Sequence, residues 1–220
     1  MKYSKSTQSG FTLVEIAIVL VIIGVLLAGV LKGQSLITNS RIKGLVNNMN
    51  AVSSAYNGYL DRYQATPGTE ALAVATARGW TTNNAAGVSP INLPVANTFN
   101  PAQSQPAFWQ VLRAAGFFTG DPASVTNPPS ATGGLIGVAL NPYTGVTGIS
   151  VCLSGLTGIQ AEGVDVILDG PLPANNIGSN IGGVRGAAAA ANPLAPTGGA
   201  APATVYSETA ATFWTLCRSL

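Results

Sequence analysis

The sequence has no histidine and few charges of either sign: Lys and Arg number 10 and Asp and Glu 8, together 8% of 220 residues. Ordinary soluble domains carry roughly 25%. Without histidine, imidazole catalysis, histidine-ligated metals and histidine pH switches are excluded. The net charge of +2 has no basic run behind it, so no nucleic-acid partner is indicated. The only two cysteines, Cys152 and Cys217, cannot form a four-cysteine zinc site, and no histidine can complete one. There is also no G-x-S-x-G turn, Walker loop or histidine-containing triad. Neither an enzyme nor a cofactor is expected.

The charge deficit has two sources. One is a body rich in Ala, Gly, Pro, Ser, Thr and Asn. The other is an apolar segment near the N-terminus. Residues 1–10, MKYSKSTQSG, are polar and carry Lys2 and Lys5. Residues 11–31, FTLVEIAIVLVIIGVLLAGVL, follow with one charge, Glu15. As a helix they would span about 31 Å, which matches a hydrocarbon core of about 30 Å. A core helix of a globular domain would show a polar face, and Ile16–Leu31 has none. A secretory signal peptide has a shorter apolar region, followed by its small-residue cleavage site. Here the small residue, Gly10, precedes the apolar run. Cleavage there would remove the basic leader and keep the helix. Counting positive charges does not set the orientation, because Lys32, Arg41 and Lys43 follow the apolar run as Lys2 and Lys5 precede it.

Glu15 is the informative residue. A charge at mid-bilayer costs about 2.5 to 3.5 kcal/mol on insertion scales, and less near a helix end. A carboxylate in the first turn is also favoured by the helix dipole. The dipole explains why a Glu is tolerated there but not why it follows Gly10-Phe11. The string Gly10-Phe11-Thr12-Leu13-Val14-Glu15, with basic residues before it and an apolar helix after it, resembles the prepilin processing motif of type IV pilins and pseudopilins. The resemblance covers about residues 1–62, with a looser likeness to large pilin-like proteins at Gln34–Ile37 and Tyr59–Pro67.

The resemblance implies a sequence of events. A prepilin peptidase cuts between Gly10 and Phe11, and the new α-amine of Phe11 is methylated. Glu15 then pairs with the Phe11 amine of a neighbouring subunit. An inner-membrane platform, driven by an ATPase, moves subunits from lipid into a homo- or hetero-oligomeric fibre. The precursor would be a single-pass inner-membrane protein with a cytoplasmic N-terminus, and the fibre would be extracellular or periplasmic. Physical chemistry supports the pairing: an α-amine is largely cationic near pH 7, and a lone amine and a lone carboxylate are each costly in an apolar fibre core. An intrachain Phe11–Glu15 pair is the competing arrangement. Cys152 and Cys217, an even pair in a chain with an export-type N-terminus, read as one disulfide. Two buried free thiols are the alternative.

The helical pattern continues to about Arg62, for a total of about 78 Å. Residues 32–62 form its amphipathic half, with Leu36, Ile37, Ile42, Leu45, Val46, Met49, Val52, Tyr56, Tyr59 and Tyr63 at helical spacing. No proline breaks it, although Gly24, Gly29 and Gly33 weaken it. Thr66-Pro67-Gly68-Thr69 ends it, and residues 63–220 form the head. Short helices are expected around Glu70–Arg78 and at Pro106–Ala115. Strands are expected at Leu135–Leu140 and Val146–Leu153, joined by the loop Asn141–Gly145. Gly158–Leu168 fits a helix, and Val164–Leu168 also fits a strand. The low-complexity stretch 182–203 reads as an exposed loop, with short strands returning at Val205–Tyr206 and Phe213–Cys217. The resemblance implies an α+β fold, the pilin roll, with the long helix against an antiparallel sheet. Glu162, Asp165 and Asp169 form the one local acidic cluster, a weak calcium candidate. A turn with solvated carboxylates is the plainer reading. Three functions stand open: type IV pilus subunit, major or minor; pseudopilin of a type II secretion system; and a bitopic anchored binding protein that never polymerises.

Overall fold

A computed structural model describes residues 10–80, 92–100, 105–175, 177–208 and 212–220. The first nine residues, with Lys2 and Lys5, lie outside the described residues, as do 81–91 of the expected irregular stretch. The chain forms two units, residues 1–40 and 41–220.

Helix α1 runs over Leu13–Tyr63 and passes unbroken through Gly24, Gly29 and Gly33. In the first unit its apolar side chains, from Leu13 to Leu31, are all exposed. This part is long and apolar enough to cross a membrane. In the second unit the character of α1 changes. Ile42, Leu45, Val46, Met49, Val52 and Tyr59 are buried at the three-and-four spacing of one helix face. That face closes one side of a four-stranded antiparallel sheet.

The strands are β1 (Ile136–Leu140), β2 (Ile149–Leu156), β3 (Val184–Ala189) and β4 (Phe213–Ser219), in the order β1-β2-β4-β3. Alternation sorts their side chains. Val151, Leu153, Trp214 and Leu216 join α1 in the main core with Phe108, Trp109 and Leu112 of α3 (Gln105–Ala114). Cys152, Cys217, Ala187 and Ala139 point to the opposite face, where Phe99, Tyr143 and Val146 cover them. Arg218 of β4 reaches α1 through Asn50 Oδ1 (3.1 Å) and Ser53 Oγ (3.2 Å). The long helix packed on an antiparallel sheet is the α+β arrangement expected from the sequence.

Several local expectations change. The stretch 182–203 is not wholly a loop, because Val184–Ala189 pairs along β4 from Val184↔Arg218 to Ala189↔Phe213. Its run of Ala and Gly hides a strand whose cause is the partner. Val205–Tyr206 is not a strand; Tyr206 is an anchored, buried side chain instead. The β1–β2 connection is longer than Asn141–Gly145 and runs to Gly148, where the Asn141 amide donates to the Gly148 carbonyl (3.0 Å). The ambiguous stretch is helix α4 (Gly158–Asp169). Its start is fixed by a capping box: the Gln160 amide donates to Thr157 Oγ1 (3.4 Å) and the Thr157 amide donates to Gln160 Oε1 (3.1 Å). Gly163 lets α4 pass close to α1, since a Cβ there would lie 2.5 Å from Ile42 Cδ1.

The turn after α1 is held by Glu70. It accepts from the Tyr59 hydroxyl and from the Gly68 amide (3.0 Å), and it lies 3.9 Å from Arg78. Burial and that carboxylate push the Tyr59 hydroxyl well above its ordinary pKa. The short helix α2 (Leu72–Ala77) follows. Tyr59 is a core residue, as its spacing implied.

Candidate functional site

The N-terminal constellation begins at Gly10, which is exposed, with no atom within 4 Å of a Cβ added there. Phe11 is 84% exposed. Thr12 precedes the first helical residue, Leu13, and Glu15 is the third residue of the helix. Their side chains exchange hydrogen bonds. The Glu15 amide donates to Thr12 Oγ1 (3.2 Å), and the Thr12 amide donates to Glu15 Oε2 (2.8 Å). The Thr12 hydroxyl donates to the same Oε2 (2.8 Å). This is a second capping box, satisfying amides that the first helical turn leaves without intrahelical partners.

The box gives the carboxylate two distinguishable oxygens. Oε2 is held by Thr12 twice, while Oε1 makes no hydrogen bond among the described residues. An ionised carboxylate has about four acceptor positions, so Oε1 remains able to meet a cation. Cleavage between Gly10 and Phe11 would leave the Thr12 amide intact, so the box would survive it. The new amine would stand one residue away. The role of Thr12 was legible in the sequence as the spacing T-x-x-E ahead of an apolar run.

The two cysteines meet on the sheet. Cys152 of β2 and Cys217 of β4 are direct register partners, with Cα atoms 4.1 Å apart, and form a disulfide. Both are fully buried on the face away from α1. The bridge joins two adjacent central strands and closes over α4, β3 and the segment between β3 and β4.

The acidic cluster separates into different tasks. Asp165 is buried and accepts a 2.6 Å hydrogen bond from the Tyr206 hydroxyl. Asp169 Oδ2 accepts from the Val184 amide at the start of β3 (2.7 Å). Glu162 is partly exposed on α4. Among the described residues no group of three His, Cys, Asp or Glu is gathered as a metal site. Asp165 and Asp169 anchor the chain that returns after α4. Ser179 is a further anchor, its hydroxyl donating to the carbonyls of Pro202 (2.6 Å) and Thr204 (2.9 Å).

Burial raises the Asp165 carboxyl to about 6; the Tyr206 hydrogen bond opposes the shift and the Asp169 charge adds to it. The ordinary carboxylate value is near 3.9. Between about pH 4 and 6 the folded chain therefore holds a proton that the unfolded chain releases. Stability falls as pH rises through that window. Asp165→Asn keeps an acceptor for Tyr206 and removes the charge. It is expected to unfold at higher urea than the parent at pH 7, by at most roughly 3 kcal/mol, and to match the parent at pH 4. Urea titrations of detergent-solubilised full chain at the two pH values measure this. Equal midpoints at pH 7 would show that the burial is not costly.

Against known proteins, the family model described as the prokaryotic N-terminal methylation motif matches residues 5–31. The match contains Gly10, Phe11, Thr12 and Glu15 and ends where the apolar run ends. It is the prepilin signature of type IV pilins and pseudopilins. No curated protein matches the chain.

Proposed function

We propose that this chain is a structural subunit of a type IV pilus, major or minor. It is processed by prepilin peptidase, N-methylated on Phe11 and assembled through its N-terminal helix. The methylation motif already indicates a type IV pilin-like or pseudopilin protein, and with the apolar helix it fits a membrane-anchored precursor. One observation supports assembly through that helix. A carboxylate oxygen without a hydrogen bond among the described residues, Glu15 Oε1, stands beside the Gly10-Phe11 junction at the head of an apolar helix exposed on every side. A helix of that kind is stable in lipid or against copies of itself, and not in water.

The parts then divide the work. Residues 1–10 are the removable leader. Residues 11–31 are the membrane segment and afterwards the fibre core. Residues 32–62 carry α1 into the head, and 63–220 complete the head. Lipid satisfies the apolar surface before assembly, and neighbouring helices do so afterwards. The Phe11 amine and Glu15 neutralise each other only at the correct axial stagger, so the pair sets register more than affinity. The role is structural, with no substrate.

The experiment is processing followed by fibre recovery. In cells carrying prepilin peptidase and an assembly platform, wild-type chain is expected as a shortened form and in fibres sheared from the surface. Gly10→Leu is expected to remain in the membrane at precursor mass, with fibre yield at background. Processing of Gly10→Leu at the same junction would contradict the assignment of Gly10. Fibres confined to the periplasm, with none sheared from the surface, would favour the pseudopilin of a type II secretion system. An uncut wild-type chain would favour a non-polymerising anchored protein.

A further inference from the structure

Four of the eight acidic residues gather around α4. Glu162, Asp165 and Asp169 lie on it, and Glu208 Oε2 accepts from the Ile159 amide in its first turn (2.9 Å). Asp165 is buried on Tyr206, which leaves three carboxylates towards solvent. No Lys or Arg occurs between Arg113 and Arg185 to balance them. The same helix exposes large apolar side chains: Ile159 is 51% exposed, Val166 39% and Ile167 52%. Ile159, Glu162 and Val166 follow one another at spacings of three and four, so they form one stripe, apolar at both ends and acidic between.

Helix α1 carries the complement. Lys32, Arg41 and Lys43 are exposed, and no acidic residue stands between Glu15 and Asp61. Leu36 is 61% exposed and lies one helical turn beyond Lys32. Among the described residues the one ion pair is Arg78 with Glu70. Among the described residues, neither the acids of α4 nor Lys32, Arg41 and Lys43 of α1 are therefore neutralised by an ion pair.

We propose that α4 of one subunit docks on the Lys32–Lys43 stretch of α1 in a second copy. Glu162 would lie beside Lys32 and, four residues on in both helices, Val166 against Leu36. Two different patches of one chain then meet. This heterologous contact propagates as a filament instead of closing as a dimer. The apolar contacts supply attraction, and the opposite charges select α4 against α1, since α4 on α4 would set acids together and α1 on α1 would set bases together. The contact rests on the fibre reading and adds to it a head-side surface, distinct from the Phe11–Glu15 pairing.

Cross-linking tests it, helped by the absence of free cysteine among the described residues. Two differently tagged full-length subunits, one carrying Val166→Cys and the other Leu36→Cys, are co-expressed and their fibres sheared and mildly oxidised. A disulfide-linked heterodimer is expected, and either variant alone should give none with its own kind. Leu36→Cys with Val125→Cys, another exposed position on the head, should not cross-link. A charge swap gives a second readout: Glu162→Lys alone should lower fibre yield several-fold, and adding Lys32→Glu in the same chain should restore it. Fibres that contain both cysteine variants but no linked heterodimer would overturn the docking contact and leave the fibre reading standing. Failure of the charge swap to restore yield would overturn it as well. Wild-type chain that is never cut and never enters fibres would overturn the fibre reading itself, and the contact with it.

Discussion

Fibre yield is expected to fall to background when the only source of the subunit carries Glu15→Val, while membrane-bound, processed protein stays at the parental level. The head is a separate unit beginning at Arg41, so its folding does not depend on Glu15. Removing a charge from an apolar segment leaves membrane insertion equal or better. Assembly is different, because each incoming subunit would bury a Phe11 amine with no carboxylate to meet it. Breaking a buried pair by removing one partner costs about 3–5 kcal/mol, roughly a hundredfold or more in an equilibrium constant.

The capping box makes a second variant informative. Glu15→Gln keeps a side-chain oxygen that accepts from the Thr12 amide but cannot carry the charge. If charge pairing between subunits is the role, Glu15→Gln assembles as poorly as Glu15→Val. If the cap alone matters, Glu15→Gln assembles like the parent, and Thr12→Ala, which loses about 1 kcal/mol of cap, is as damaging as Glu15→Val. For a subunit present in few copies, incorporation of a tagged variant is counted instead of total yield. Parental yield from Glu15→Val would show the carboxylate dispensable.

The second large effect is expected from Cys152→Ser with Cys217→Ser. The bridge spans a sequence separation of 65, for which chain entropy assigns about 4 kcal/mol. That is a large share of the roughly 5–15 kcal/mol that keeps a domain folded. In urea the midpoint of the exported protein should fall by about 2 M for a domain of this size. The loss should concentrate in the closed loop. There a few hydrogen bonds hold the returning chain: Tyr206 on Asp165 of α4, Pro202 and Thr204 on Ser179, and the start of β3 on Asp169. Hydrogen exchange should therefore rise first over 170–208 and last over α1. An unchanged midpoint, or free thiols at both positions in natively exported protein, would contradict the prediction.

How much of this was legible depended on whether the cause was local. The buried face of α1 was readable because Ile42, Leu45, Val46, Met49 and Val52 repeat at helical spacing. The motif Gly10–Glu15 was readable because its residue types and order are specific. Helix α4 was readable in principle from Thr157 and Gln160, the same device as Thr12 and Glu15, though apolar periodicity left it ambiguous. β3 was not readable. VRGAAA has neither alternation nor β-branched residues beyond Val184, and its strand exists because β4 offers a ladder. The separation of Asp165 from Asp169 was equally hidden: Tyr206 and the Val184 amide, which give them different roles, come from segments far along the chain.

The most direct measurement is the mass of the N-terminal peptide of this chain in fibres sheared from cells. The account predicts a peptide that begins at Phe11 and is heavier by one methyl group on its amine, with no peptide from residues 1–10. Fibre-borne protein that retains Lys2–Gly10, or that begins elsewhere than Phe11, would contradict it.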